Sequence, residues 1–210
     1  MIVDDDGPVR ESLAFLLSSA GFATRCHDCG QHLLDCGPPG GPACLVLDLE
    51  MPGMNGCELQ QRLADAHWEI PIIFLTGRGD VAAAVKALKN GAVDFLEKDQ
   101  LQPSELLERV EQCIKQHREA ITKRESRLRL RRRFDHLTGR ELEVANRASA
   151  GMTNKVIGLE LGISERTVEI HRGRAMKKLG LRTAADLARL KSLFDELASR
   201  EAAQCPLSNH

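Results

Sequence analysis

Short apolar runs separated by stretches with helical spacing constrain the first half of this chain more than any other feature. Residues 44–47 (CLVL) and 70–75 (IPIIFL) are apolar runs of strand length, the second entered through Pro71. Residues 93–96 (VDFL) read as a third strand, and 1–3 as a short apolar stub that leads into acidic residues. Between them, 12–20 has helical spacing and stops at Gly21, and 81–89 is amphipathic and stops at Asn90-Gly91. A further helix is expected over 103–116, with Pro103 and Ser104 near its start. Strands that alternate with helices imply right-handed βαβ units, hence a doubly wound α/β fold whose parallel sheet is covered on both faces.

In such a sheet, ligands bind beyond the carboxyl ends of the strands. Asp4 and Asp5 follow the first strand and Asp48 follows the run 44–47. Three carboxylates converging on one crevice repel unless a cation neutralises them, and hard oxygen donors favour Mg²⁺. Thr76 and Lys98 end the later strands, where a hydroxyl and an ammonium suit the charge of a transferred phosphoryl group.

The strings VDDD, LVLDLEMPGMNG, IIFLTGRGD and GAVDFLEK, in this order over almost the whole first half, closely resemble the receiver domain of response regulators. The resemblance implies a flavodoxin-like receiver with Asp48 as phosphoacceptor and Asp4 and Asp5 as Mg²⁺ ligands. The main-chain carbonyl of Glu50 is then a further ligand. Thr76 hydrogen-bonds the new phosphoryl group, Lys98 pairs with it, and Phe95 is the aromatic that changes rotamer on activation. The chain departs from the family pattern twice. Asp99 follows Lys98 where a proline after a cis peptide is usual, so a trans bond and a re-routed loop are expected. Only Met1, Ile2 and Val3 precede Asp4, so the first strand is expected to be short.

The second half has a different character. The first 112 residues carry 8 Lys+Arg against 18 Asp+Glu, a net of -10, whereas the remainder holds 21 against 12, a net of +9. An acidic half joined to a basic one points to two domains with different partners, nucleic acid being the usual partner of a basic domain. Residues 115–133 are rich in Arg, Lys and Glu and read as an exposed, helical continuation. Beyond them four short helices are expected, at 139–150, 154–161, 165–179 and 184–198. Thr138 with Glu141 forms a capping box, Thr153 or Asn154 caps the second helix, and Ser164 caps the third after the turn Gly162-Ile163-Ser164. Helix, short glycine-containing turn and helix is the arrangement that lays a helix in the major groove.

The strings LTGRELEV, GMTNKVIGLELGISERTVEIHR and MKKLGLRT resemble the LuxR-type helix-turn-helix domain, a small all-α fold, from about Leu137 to Leu190. The resemblance implies that 165–179 is the recognition helix, with Thr167, Glu169, Ile170, His171 and Gly173 facing the groove and Arg166 beside them. Glu169 suits a cytosine amine and Ile170 a thymine methyl, whereas Asn154, Lys155, Arg172 and Lys177 suit phosphates.

The expected organisation is a receiver over 1–114, a charged helical linker over 115–135, a LuxR-type domain over 136–200 and a tail over 201–210. That order resembles the FixJ/NarL class of transcriptional regulators. It implies a sensor histidine kinase as phosphoryl donor, promoter DNA as target, a homodimer on phosphorylation, and RNA polymerase as a further candidate partner. No apolar run is long enough to span a bilayer and no signal peptide is recognisable, so a cytoplasmic, non-membrane protein is expected. Cys26 and Cys29 form a CxxC pair with Cys36 nearby. A redox or metal site of that kind needs a second paired motif or a thioredoxin-like setting, so the seven cysteines read as separate reduced thiols.

Three other readings fit the sequence less well. An aspartyl-phosphate phosphatase lacks a substrate-binding cap here and leaves the basic half unexplained, so no enzyme is expected. A ligand-gated LuxR-type regulator does not account for the acidic strand ends. A phosphorylation-independent DNA-binding regulator with a degenerate receiver is the alternative that Asp99 and the short first strand keep open.

Overall fold

The computed structural model describes residues 1–77, 85 and 87–204, with side chains as far as 196. By its internal packing the chain divides into two units, Met1–Thr122 and Lys123–His210, so the division falls inside the charged stretch.

The described residues of the first unit build a five-stranded parallel sheet. Its strands are β1 (Ile2–Val3), β2 (Cys26–His27), β3 (Leu45–Asp48), β4 (Ile72–Thr76) and β5 (Asp94–Glu97), in spatial order β2-β1-β3-β4-β5. This is the flavodoxin-like order, and its connections reverse direction between β1 and β3, where such sheets bind their ligands. Helices α1 (Gly7–Ser19), α2 (Gly30–Cys36) and α3 (Gly56–Asp65) fall between the strands, and α4 (Pro103–Asp135) follows β5.

The period of two along each strand sorts side chains into two cores. Ile2, Val46, Ile73 and Leu75 pack on one face with Leu13 and Leu17 of α1 and Leu106 and Val110 of α4. Val3, Leu45, Leu47 and Phe74 pack on the other with Leu33 of α2 and Leu59 and Leu63 of α3. Phe74, Leu45, Leu47 and Leu59 are fully buried, and each such side chain contributes about 1.5–3 kcal/mol.

Local chemistry sets the boundaries. Helix α1 begins at Gly7, ahead of the expected residue 12, because the Asp6 carboxylate accepts from the Val9 N–H at 3.2 Å and Pro8 suits the first turn. A capping box opens α3: Asn55 Oδ1 accepts from the Glu58 N–H at 2.9 Å, and the Glu58 carboxylate accepts from the Asn55 N–H at 3.2 Å. Three elements, β2, α2 and α3, were not expected from the pattern. The first has two residues and the second only seven with no side-chain cap. The helix expected over 103–116 runs on to Asp135. The helix expected over 81–89 falls largely on 78–84 and 86, outside the described residues.

The second unit holds α5 (Gly139–Ser149), α6 (Asn154–Leu161), α7 (Glu165–Lys178) and α8 (Ala184–Gln204). Their core comprises Val144, Ala145, Ile157, Val168, Ala175, Leu179 and Leu187, joined by Phe134 from the end of α4. Phe134 stacks on Phe194 with ring centroids 4.2 Å apart. Gly162 ends α6 in the left-handed region at φ 65°, a conformation that glycine adopts without steric cost. No helix among the described residues is long and apolar enough to cross a membrane.

Candidate functional site

The acidic site lies at the carboxyl ends of β1, β3, β4 and β5. Asp4 follows β1, and Asp48 is the last residue of β3. Thr76 is the last residue of β4, one position past the partner of Asp48, and is fully buried. Thr76 pairs in turn with Glu97, the residue before Lys98. Parallel register alone therefore brings Asp4, Asp48, Thr76 and Lys98 to one end of the sheet.

Side-chain geometry closes the cluster. Lys98 Nζ lies 2.8 Å from Asp4 Oδ2 and 3.1 Å from Asp48 Oδ2. Asp4 and Asp48 are 1% and 5% exposed, whereas Asp5 faces solvent, and each of the three carboxylates offers an oxygen within 4.8 Å of the others. Burial is the main influence on Asp48 and pushes its carboxyl above the usual range. Lys98 and the Glu50 backbone N–H pull it back only in part, and Asp4 adds to the rise. For Lys98, burial pushes the ammonium down, but the ion pairs with Asp4 and Asp48 outweigh it and hold it above its ordinary value. Burial thus raises Asp48 more than one ammonium lowers it, while the two carboxylates keep Lys98 charged between them.

Several residues that sequence reasoning passed over hold this geometry. The Asp6 N–H donates to Asp4 Oδ1 at 2.9 Å, and Arg10 Nη1 donates to the Asp4 carbonyl at 2.7 Å. Gly56, at the start of α3, donates its N–H to the Leu49 carbonyl at 2.9 Å, and a Cβ there would meet the Asp48 carbonyl oxygen at 2.4 Å. The glycine stands in the string MPGMNG, but only the packing of α3 on β3 reveals what it is for. Phe95 is half-buried against the core on the α3 side and is the register partner of Phe74 on the adjacent strand β4. The Lys98–Asp99 peptide is trans, as expected, and Lys98–Gln100 forms a single 3-10 turn with Asp99 exposed.

The three carboxylates suit a hard divalent ion. Asp4 Oδ2 is buried without a well-aligned hydrogen bond, having only the ion pair with Lys98 on that oxygen, so it retains a lone pair for a cation.

In the second unit, capping residues lie where the pattern puts them. Thr138 Oγ1 accepts from the Glu141 N–H at 3.3 Å, and the Glu141 carboxylate accepts from the Thr138 N–H at 2.9 Å. Ser164 Oγ accepts from the Thr167 N–H at 3.1 Å, and Thr153 caps α6. A Cβ on Gly158 would meet the Ile163 carbonyl oxygen at 2.8 Å, so the turn between α6 and α7 closes against bare backbone. Glu141 is 3% exposed and pairs with Lys178 at 2.6 Å. That ammonium, with the Thr138 N–H, holds the Glu141 carboxyl below its usual range.

On α7, Glu169, Ile170, Gly173 and Lys177 are exposed, as is Arg166, which is paired with Glu169 at 2.6 Å. Thr167, His171 and Arg172 were expected to face largely outward and are instead half-buried. Thr167 shares a 2.7 Å hydrogen bond with Ser164, His171 has its Nδ1 buried, and Arg172 donates to Asn154 Oδ1 at 2.9 Å. Lys155 on α6 is exposed.

Comparison with known proteins gives consistent matches. The profile of the response regulator receiver domain matches residues 1–111, and that of the bacterial regulatory proteins of the luxR family matches 135–191. The chain is 40% identical to the transcriptional regulatory protein FixJ of Rhizobium meliloti over 189 residues, 90% of this chain and 92% of the relative. It is likewise 40% identical over 191 residues to the C4-dicarboxylate transport transcriptional regulatory protein DctR of Rhodobacter capsulatus, covering 90% of this chain and 96% of that one. Among solved structures, the response regulator StyR superposes with a TM-score of 0.86 at 43% identity, covering 91% of this chain and 96% of that one.

Proposed function

The chain belongs to the response regulators that join a receiver domain to a DNA-binding domain of the luxR family, and from that premise we propose that Asp48 is the phosphoacceptor whose modification controls DNA binding by the second unit. It is a transcriptional response regulator, and its relatives are transcription regulators. The observation that carries the assignment of Asp48 is the ammonium of Lys98 within 3.1 Å of both Asp48 and Asp4 at the end of the sheet where its connections reverse.

The reaction is an in-line displacement. An Asp48 carboxylate oxygen bonds to the phosphorus, the bond from phosphorus to the imidazole nitrogen of a sensor histidine kinase breaks, and the imidazole leaves with the electron pair. The product is an acyl phosphate. Lys98, already beside Asp48, exchanges a carboxylate oxygen for a phosphoryl oxygen, and the Thr76 hydroxyl orients another. Asp4, Asp5, Asp48 and the Glu50 carbonyl would hold Mg²⁺, which neutralises phosphoryl charge. Burial keeps water from competing as nucleophile.

The Thr76 and Phe95 positions lie on adjacent strands, so a shift of Thr76 toward a phosphoryl oxygen opens space that Phe95 fills. We assign to that change the formation of a homodimer that presents two recognition helices to paired half-sites, with RNA polymerase as a further partner. On DNA, Lys155, Lys177, Asn154 and Arg172 contact phosphates, and Thr167, Glu169, Ile170, His171 and Gly173, with Arg166 beside them, face bases. The boundaries of this reading are a receiver over 1–114, a linker over 115–135 and a DNA-binding domain over 136–200. Against the alternative of a phosphorylation-independent regulator stands the reach of Lys98, which meets Asp48 through a trans peptide and despite Asp99.

The test is incubation of purified protein with acetyl phosphate and Mg²⁺, read on a phosphate-affinity gel beside Asp48→Asn. A retarded band in the wild type that is missing from the variant is expected. A folded protein with no band, or a band that persists in Asp48→Asn, overturns the assignment.

A further inference from the structure

Among the described residues a second group of metal-ligating side chains lies apart from the carboxylates. His27, His32 and Cys36 each offer a donor atom within 4.8 Å of the other two. Separate reduced thiols were expected, with Cys36 near the CxxC pair, and no disulfide links the described cysteines; the group gathered here joins Cys36 to two histidines. We propose that His27, His32 and Cys36 form a binding site for a divalent transition metal of the Zn²⁺ class.

His27 supplies the strongest argument. Its ring is 5% exposed, and both ring nitrogens are buried without a hydrogen-bond partner. An unpaired buried polar group costs stability, and a metal bond relieves one of the two nitrogens. The ring does not lie among apolar side chains alone: it meets His32 edge to face, with centroids 5.0 Å apart and planes at 87°. His32 and Cys36 stand four residues apart on α2, so they share one helix face.

The surroundings of His32 are those of a held ligand. Asp28 Oδ1 lies 3.2 Å from His32 Nδ1, which fixes the ring and leaves Nε2 open. A carboxylate behind a ligating imidazole is a recurrent support of metal sites. Two imidazole nitrogens and a sulfur favour Zn²⁺ over Mg²⁺, which prefers oxygen, and they leave a fourth tetrahedral position for water or an added ligand. Donors up to 4.8 Å apart must close by an ångström or so to reach metal bonds of about 2.0–2.3 Å, and the exposed Cys36 side chain is free to rotate toward the two rings. On binding, the Cys36 S–H bond breaks, its proton passes to solvent, and the thiolate electron pair forms the bond to the metal. The site is independent of the phosphoacceptor, although the two share backbone: the His27 carbonyl accepts from the Asp4 N–H at 3.3 Å.

The experiment is a Co²⁺ titration of the reduced full chain in excess Mg²⁺, which fills the carboxylate cluster. A thiolate-to-cobalt charge-transfer band that saturates at one equivalent and is removed by Zn²⁺ is expected. Cys36→Ser abolishes the band and His32→Ala weakens binding, both at exposed positions that leave the circular dichroism spectrum unchanged. Asp28→Asn weakens binding about tenfold. Cys26→Ser and Asp48→Asn keep the band. Absence of the band in the folded wild type, its survival in Cys36→Ser, or its loss in Cys26→Ser overturns the proposal.

Discussion

A side-chain carbon on Gly56 would stand 2.4 Å from the carbonyl oxygen of Asp48, with the Phe74 ring at 2.9 Å behind it. Helix α3 therefore meets the end of β3 backbone to backbone, and the phosphoacceptor position is fixed by a residue with no chemistry of its own. Replacing it by alanine forces the helix off the strand. Gly56→Ala is expected to destabilise the first unit by about 1–3 kcal/mol and to slow phosphorylation by acetyl phosphate. Urea unfolding followed by the fluorescence of Trp68, the chain's single tryptophan, measures the first effect. An unchanged midpoint would show that α3 moves away at no cost.

Asp48 gives a signed dependence on pH. Burial raises its carboxyl pKa, so the folded chain holds that proton more tightly than the unfolded one and ionised Asp48 costs stability at neutral pH. Asp48→Asn removes the cost and is expected to gain about 1 kcal/mol at pH 7. The gain shrinks as pH falls through the raised value and vanishes below the ordinary carboxylate range, where both states are protonated. Mg²⁺ at a hundredfold excess over its Kd stabilises the wild type by about 2.7 kcal/mol and the variant by much less. Denaturation midpoints at several pH values, with and without Mg²⁺, check both; a variant less stable than wild type at neutral pH contradicts the sign.

Glu141 runs the opposite way. Lys178 and the Thr138 N–H depress its pKa, so its contribution to stability is complete above the ordinary glutamate pKa of about 4.3 and is lost as pH falls through the depressed folded value. Lys178→Met is expected to cost about 1 kcal/mol at pH 7 and less once Glu141 is protonated, when only the Lys178 hydrogen bond to the His136 carbonyl is lost. Hydrogen exchange at the buried Val144 and Ala145 amides reads this directly.

The second unit should separate affinity from specificity. Lys155→Ala is expected to weaken binding to all DNA sequences alike and to lower the slope of log affinity against log salt by about 1. Ile170, 43% exposed on α7, should behave differently. Ile170→Ala is expected to cost about 1 kcal/mol only on sites with thymine at the contacted pair. Fluorescence anisotropy against paired operators at two salt concentrations distinguishes the two, and a uniform loss for Ile170→Ala argues against a base contact.

The doubly wound sheet was legible because its central strands β3 and β4 are continuous apolar runs, and the residues gathered at its ends follow from those runs by register. The capping boxes at Asn55 and Thr138 have equally local signatures, although only the second was read. Short elements were not legible: β2 and α2 carry too few residues for any period to emerge. Nor were contacts that depend on approach, such as Gly56 against Asp48 or Gly158 against Ile163, because a glycine in sequence does not say what comes near it. The half-burial of His171 and Arg172 escaped for the same reason, since helical spacing gives a direction but not the neighbour that covers it.

Phe134 lies one residue ahead of the stretch that matches the luxR family, yet it is 4% exposed, belongs to the core of the second unit and stacks on Phe194. The piece that can be transplanted is thus longer than the piece that can be recognised. A recombination joint placed at the edge of the familiar motif would leave a hole where that ring belongs. A joint that carried the last turn of α4 along with the helices of the second unit would keep that ring in place.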